Sequence, residues 1–275
     1  MPEGDTIFRT ARTLERALAG RLITRFESQL AELVVVDRRS PMAGRTTVGA
    51  RAHGKHLLIE LSGDLFLRSH MRMHGSWHLY RPGERWRGAA RNARIVIATD
   101  EWIAVAFFVV EAEFLTRDEV ERHPRLSALG PDLLKDDVDL AEARRRIRAT
   151  PARHIAEAIL RQQSVAGLGN VYKSELLFLC GIHPRSEVQD VTDAALDTLL
   201  EQARKLMRLN VREQGIVTTP AFGRITTGRL NPREKVWVYG RTGRPCLRCG
   251  TPIRSEAETE GRRTYWCPTC QPAVR

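Results

Sequence analysis

The 275-residue chain contains no run of eighteen apolar residues, which argues against a membrane-spanning helix. Its opening, Met1-Pro2-Glu3-Gly4-Asp5, has neither the basic stretch nor the apolar stretch of a secretory signal, so a cytosolic protein is expected. Internal repeats and low-complexity tracts are missing as well. Lysine is scarce, with 5 among the 44 basic residues, the remainder being arginine. Base composition of the genome can produce that bias, so the placement of the charge matters more than its type. Of the net +11, +9 lies between Glu201 and Arg275, where 15 Lys and Arg face 6 Asp and Glu. Charge gathered in this way points to a polyanionic partner, and nucleic acid is favoured.

At 42% hydrophobic residues the chain can build one large domain or two modest ones, each with a core. Ile7, Ala11, Leu14 and Leu18 fall on one face of an opening helix, with Asp5 or Thr6 as N-cap. Short β-rich runs follow at Leu33–Val36, Lys55–Leu61, Asp64–His70, Ser76–Tyr80, Ala93–Thr99 and Glu101–Val110. Their spacing and turn signals predict an antiparallel sandwich or barrel. A Gly130-Pro131-Asp132 cluster marks the boundary to a helical part, with helices predicted over Leu140–Arg148, Ala152–Gln163, Asn170–Cys180 and Ala194–Leu209. Residues Gly215–Glu234 read as a loop, and a cysteine module occupies Val236 to the end. The fold class is therefore α+β, in three parts: 1–130, 131–235 and 236–275.

Cys246-Leu247-Arg248-Cys249 and Cys267-Pro268-Thr269-Cys270 have the spacing of a four-thiolate zinc site. A cytosolic setting disfavours the disulfide alternative. The stretch between them reads as a hairpin turning at Glu258–Gly261, with Arg262 and Arg263 beside the turn. Two arginines so placed suit a phosphate, although a solvated charge pair is the safer reading from composition alone. Cys180 ends an apolar helix and reads as core.

Gln163 to Tyr172 includes Gly167, Gly169 and Asn170 at the start of a predicted helix. Glycines allow close approach, and a helix N-terminus with an Asn donor suits a phosphate, yet any connection between helices favours glycine. Lys173 and Glu175 on that helix read, unaided, as exposed surface. Removal of Met1 would leave Pro2 as a secondary amine with a starting pKa of about 8, partly neutral at physiological pH. Its attack on a sugar C1′ would give an iminium ion, with neighbouring Glu3 as acid/base for opening the ring.

Together these motifs resemble the formamidopyrimidine-DNA glycosylase and endonuclease VIII family along essentially the whole chain. The resemblance rests on Pro2-Glu3-Gly4, His53 to Leu58, Ser69 to Gly75, Leu129 to Asp132, Gln163 to Phe178, Val238 to Arg241 and the four cysteines. It implies an N-terminal β-sandwich with a leading helix and a helix–two-turn–helix domain ending in a zinc finger, with damaged double-stranded DNA between them. It further implies that Pro2 is the Schiff-base nucleophile and Glu3 the acid/base. Lys55 would contact phosphate and assist base loss, and Arg262 would serve phosphate binding and δ-elimination. The DNA-binding set would comprise Gly169, Asn170, Lys173 and Arg263, with Arg72, Met73 and His74 as the wedge filling the space of an everted nucleotide. Two positions depart from the family pattern: Thr6 stands where Glu is usual, and Ala128 where a DNA-contacting Arg can stand, for which Arg125 is a substitute.

Asp100-Glu101-Trp102-Ile103 carries no Arg-x-Phe-like inserting segment, and the Pro-Glu-Gly-Asp-Thr opening leans the same way, towards the endonuclease VIII branch and oxidised pyrimidines. Oxidised purines, 8-oxoguanine and formamidopyrimidines among them, are the alternative. A catalytically silent DNA-binding protein and a zinc-ribbon RNA-binding protein rank below both. A bacterial cytoplasmic monomer, associated with the nucleoid when on DNA, completes the expectation.

Overall fold

The computed structural model describes residues 2–211, 224–258 and 262–273, and these divide into two compact units. The first runs to Ser127, and the second takes the described residues from Ala128 onward.

The first unit opens with α1 (Gly4–Leu18), whose Ile7, Ala11, Leu14 and Leu18 are buried as the periodicity requires. The helix begins earlier than the sequence indicates. Its N-cap is Glu3, whose carbonyl accepts the N–H groups of Thr6 and Ile7 at 2.9 and 3.1 Å. Asp5 lies inside the first turn and accepts the Thr6 N–H at 2.8 Å. Eight strands follow: β1 (Arg25–Ser28), β2 (Thr47–His53), β3 (His56–Leu61), β4 (Leu65–His70), β5 (Ser76–Tyr80), β6 (Ala93–Ala98), β7 (Ile103–Phe107) and β8 (Glu111–Thr116). They form two antiparallel four-stranded sheets, β1-β6-β7-β5 and β2-β3-β4-β8. Leu57, Ile59 and Leu67 from one sheet share a core with Trp77, Ile95, Ile97 and Ala104 from the other, and α1 closes that core. The architecture is a sandwich.

Two runs differ from expectation. Leu33–Val36 belongs to a helix, α2 (Ala31–Arg39), not a strand. Leu33 is fully buried and Val36 packs on the same core, so an i, i+3 face wins over β-branched propensity. Glu101–Val110 is cut short at Phe107, and β8 after it was not anticipated. Short helices α3 (Arg117–Arg122) and α4 (Pro124–Ser127) end the unit, α3 opening with a Thr116/Glu119 capping box.

The second unit contains α5 (Leu140–Arg148), α6 (Ile155–Ala158), α7 (Asn170–Leu179), α8 (Asp193–Asn210) and the hairpin β9 (Arg254–Ala257) with β10 (Arg263–Trp266). α8 packs against α5 and α7, and α7 also packs on β10. Only one turn of the helix expected over Ala152–Gln163 forms. Beyond it, amide groups bond three residues back, Leu160 to Glu157 and Arg161 to Ala158, and the Gly130 N–H takes the Gln162 carbonyl at 2.8 Å. Of the loop expected over Gly215–Glu234, residues 215–223 lie outside the described residues, as do 259–261 of the hairpin turn.

Candidate functional site

Glu3 is fully buried at the head of α1, directly after half-buried Pro2. α1 packs on β2 and β3, the two strands joined by the turn that carries half-buried Lys55. Gly54 makes that turn possible with φ +57°. The helix that Glu3 caps therefore packs on the hairpin holding Lys55.

Next to Lys55 two imidazoles are kept neutral. His56 is 7% exposed and meets His70 edge to face at 4.9 Å. Burial, with Arg68 and His70 nearby, brings the pKa of His56 from 6.5 down to about 2. Burial also lowers His70, to about 4, although Glu111 opposes the change. Both folded values lie below the unfolded one, so their stabilisation is complete above pH 6.5 and is lost as pH falls towards the folded pKa values. At pH 5 His56 alone should cost roughly 2 kcal/mol relative to neutral pH. Thermal melts at pH 7.5 and pH 5 should show this loss, and His56→Gln should flatten it. Equal melting temperatures of the wild type at both pH values would contradict the assignment.

The β4–β5 turn carries Arg72, Met73 and His74. Its Gly75 is obligatory, since a Cβ there would sit 2.4 Å from the Met71 carbonyl oxygen. Met73 is 59% exposed, and Arg72 has a left-handed φ of +50°. His70 pairs with Glu111 and Ser76 with Phe107, so the β7–β8 connection runs beside this turn. That connection exposes Phe108, at φ +56°, and Val110. The Asp100–Ile103 region, where the sequence reading looked for a second inserting segment, lies at the far end of β7, with Glu101 tied to Arg21 and Arg81. Sequence reasoning missed Phe108 and Val110 because it read through them as strand.

Glu111 gathers the arginines of this region. It accepts from buried Arg68 at 2.7 Å, from Arg72 Nε at 2.8 Å and from Arg125 at 2.6 Å. Burial pushes its carboxyl up, but the Arg68 and Arg72 hydrogen bonds outweigh this and hold it at about 2. Arg72 and Arg125, distant in sequence, thus share one carboxylate.

In the second unit Gly167 takes φ +93°, and Gly169 caps α7. The Gln162 side chain shapes this turn, donating to the Leu160 and Leu168 carbonyls and accepting the Gly167 N–H at 3.1 Å. Asn170 is 6% exposed, and its Nδ2 donates to the Arg263 carbonyl at 2.9 Å. Two helix positions are corrected. Lys173 is completely buried, bonded to Glu258 at 2.8 Å and Thr264 at 2.5 Å, and does not lie on the surface. Glu175 is also completely buried and accepts the N–H groups of Trp237, Val238 and Tyr239 at 2.7–2.9 Å, with the Thr226 hydroxyl as a further donor. Both were misread because the far side of α7 packs on the cysteine module, which no local pattern in the sequence reveals. Arg262 and Arg263 are exposed, and Arg262 lines a cleft of about 740 Å³ with Arg161, Gln163 and His183.

The Sγ atoms of Cys246, Cys249, Cys267 and Cys270 all lie within 4.8 Å of one another. The pairs Cys246–Cys270, Cys249–Cys267 and Cys249–Cys270 stand at 4.0, 3.4 and 3.6 Å. A tetrahedral zinc with bonds of about 2.3 Å needs sulfurs about 3.8 Å apart, whereas a disulfide needs about 2.05 Å. The donor set fits one structural zinc, with four soft ligands and no open position.

Three family models match in chain order: the formamidopyrimidine-DNA glycosylase N-terminal domain over residues 1–109, the H2TH domain of the same glycosylase over 129–221, and the zinc finger found in FPG and IleRS over 243–273. A probable endonuclease 8 2 of Streptomyces coelicolor is 41% identical, covering 100% of this chain and 96% of the relative. The chain belongs to the formamidopyrimidine-DNA glycosylase/endonuclease VIII family. Another relative, the DNA-(apurinic or apyrimidinic site) lyase Nei2 of Mycolicibacterium smegmatis, is 36% identical over 99% of this chain and 100% of its own. Among solved structures, Lactococcus lactis Fpg in complex with abasic-site DNA superposes with a TM-score of 0.82 at 25% identity, over 98% of this chain and 100% of the other. As a member of this family the chain is a DNA-binding DNA glycosylase and AP lyase of base excision repair, with one structural zinc.

Proposed function

We propose that the chain excises oxidised pyrimidines and cleaves the strand through Pro2. The observation that carries this reading is the fully buried Glu3 beside Pro2, on a helix packed against the Lys55 hairpin. With Met1 removed, the Pro2 nitrogen bonds to C1′ as the glycosidic bond breaks and the base leaves with a proton. Opening of the C1′–O4′ bond, with a proton delivered to O4′ by Glu3, leaves an iminium. Loss of a 2′ proton to a base then sends electrons towards the iminium and expels the 3′ phosphate. Loss of the 4′ proton expels the 5′ phosphate in the same way. Lys55 assists base loss and the first elimination, and Arg262 stabilises the second departing phosphate.

Asn170 with the Gly169 turn, together with exposed Arg263, grips the backbone. Met73, flanked by Arg72 and His74, fills the space left by the everted nucleotide, and the neighbouring Phe108 and Val110 widen its apolar edge. Arg125 joins Arg72 through Glu111. The working parts are 1–130 for chemistry, 131–235 for backbone binding and 236–275 for the finger. The enzyme acts as a monomer in the bacterial cytoplasm, on the nucleoid. Among the described residues no helix is long and apolar enough to cross a membrane.

The relatives named endonuclease 8 support the pyrimidine preference. Oligonucleotides carrying thymine glycol or dihydrouracil should be cleaved at least about tenfold faster (kcat/KM) than ones carrying 8-oxoguanine opposite cytosine, a difference of about 1.4 kcal/mol in transition-state binding. A reversed order in direct competition would establish the purine reading instead.

A further inference from the structure

The first turn of α7 reaches the finger hairpin at Arg263 and Thr264, directly after Arg262. The Arg262 carbonyl accepts the Glu258 N–H at 2.7 Å, and the Arg263 carbonyl accepts Asn170 Nδ2 at 2.9 Å. The Thr264 hydroxyl meets Lys173 Nζ at 2.5 Å and also donates to Glu258. Lys173 Nζ completes the ring with Glu258 Oε2 at 2.8 Å. The lysine side chain is 0% exposed, whereas the Glu258 side chain retains 30% exposure.

We infer that Lys173 is a positioning residue, which fixes Arg262 by clamping the root of the hairpin and does not itself touch DNA. A buried ammonium is expensive unless paired, and an apolar residue would fill the same space at less cost. What the ion pair adds is direction. It ties the carboxylate of Glu258, whose own N–H holds Arg262, to the helix that begins at the Gly169–Asn170 turn. Arg262 is a long, exposed side chain on a two-stranded ribbon, and such a ribbon has little stiffness of its own. A displacement of about 1 Å at a reacting centre can cost about 10²-fold in rate. The clamp therefore couples the grip on the backbone to the placement of the arginine.

This inference rests on the assignment of Arg262 to the second elimination, and the experiment separates the two. Abasic-site DNA is cleaved by zinc-loaded wild type, Arg262→Ala, Lys173→Met and Glu258→Gln, and the ratio of second- to first-elimination product is measured with the salt dependence of DNA binding. Arg262→Ala should lower the ratio at least about tenfold. Lys173→Met and Glu258→Gln should each lower it about three- to tenfold, with zinc content retained and the salt slope unchanged. If Arg262→Ala leaves the ratio intact, the role given to Arg262 is wrong. If it lowers the ratio while Glu258→Gln, which keeps the side chain's shape and removes only its charge, holds its zinc and keeps the wild-type value, the clamp is wrong. A fall of about one in the salt slope for Lys173→Met would mean a lost phosphate contact and would equally overturn the inference.

Discussion

Protein carrying one extra residue ahead of Pro2 should lose cleavage of abasic-site DNA by about 10³-fold or more, and should no longer be trapped on it by borohydride. The amine of Pro2 is secondary, with an ordinary α-amino pKa of about 8, so a useful neutral fraction exists at pH 7.5. Acylated by a preceding residue, the same nitrogen becomes a peptide nitrogen whose lone pair is delocalised into the carbonyl. No other change in the site is required. α1 begins at Gly4 and is capped by the Glu3 carbonyl, so the extension leaves the helix and its buried face alone. Removal of a covalent nucleophile costs more than removal of a positioned acid, which is worth about 10²–10⁴-fold. DNA binding should be retained within about threefold, because the extension removes no phosphate contact and the basic residues are elsewhere. The informative comparison is mass spectrometry of the active wild type beside trapping of the extended form. An active protein that still holds Met1, or an undiminished adduct from the extended form, would mean that another amine does the chemistry.

The architecture was largely legible in the sequence, because periodicity reports burial directly. Ser76–Tyr80 and Leu140–Arg148 form over the residues expected, and the spacing of the four cysteines is met by sulfurs gathered around one point. Failures occurred where a tertiary partner overrides a local pattern. Leu33–Val36 is β-branched yet helical, because its neighbours offer a core to an i, i+3 face. Lys173 and Glu175 are charged yet fully buried, because the cysteine module, some 60 to 90 residues later, brings an acid to one and three backbone N–H groups to the other. Glu111 was not singled out at all. A carboxylate in a strand has no local feature to mark it, and its three arginines come from positions 68, 72 and 125. Motif resemblance could name residues such as Arg72 and Arg125, but only the folded contacts show that they meet on Glu111.

Loss of the zinc should have the second large effect, and it should fall on one unit of the protein. Structural zinc contributes roughly 10 kcal/mol or more to a small finger, a large share of what a hairpin this short can gather otherwise. Cys267 is fully buried, its N–H donates to Gln271 at 3.0 Å, and Gln271 donates in turn to the Ile182 carbonyl beyond α7 at 2.8 Å. When the thiolates lose their ion, that anchor loosens along with the β9–β10 ladder. Lys173 is then left as a buried ammonium without its acid, and Asn170 without the Arg263 carbonyl. Cys267→Ser, or wild type stripped by a chelator, should therefore bind damaged DNA about 100-fold more weakly, and its second elimination should fall further than its first. The nucleophile belongs to the other unit, whose core of Leu57, Ile59, Trp77 and Ile97 owes nothing to the metal. At saturating DNA, borohydride should still trap a Pro2 adduct, at a reduced rate. Zinc-free protein that binds and cleaves as the wild type does would show that the finger is held by packing alone. Loss of the N-terminal unit's own melting transition on chelation would show that the two units do not fold independently.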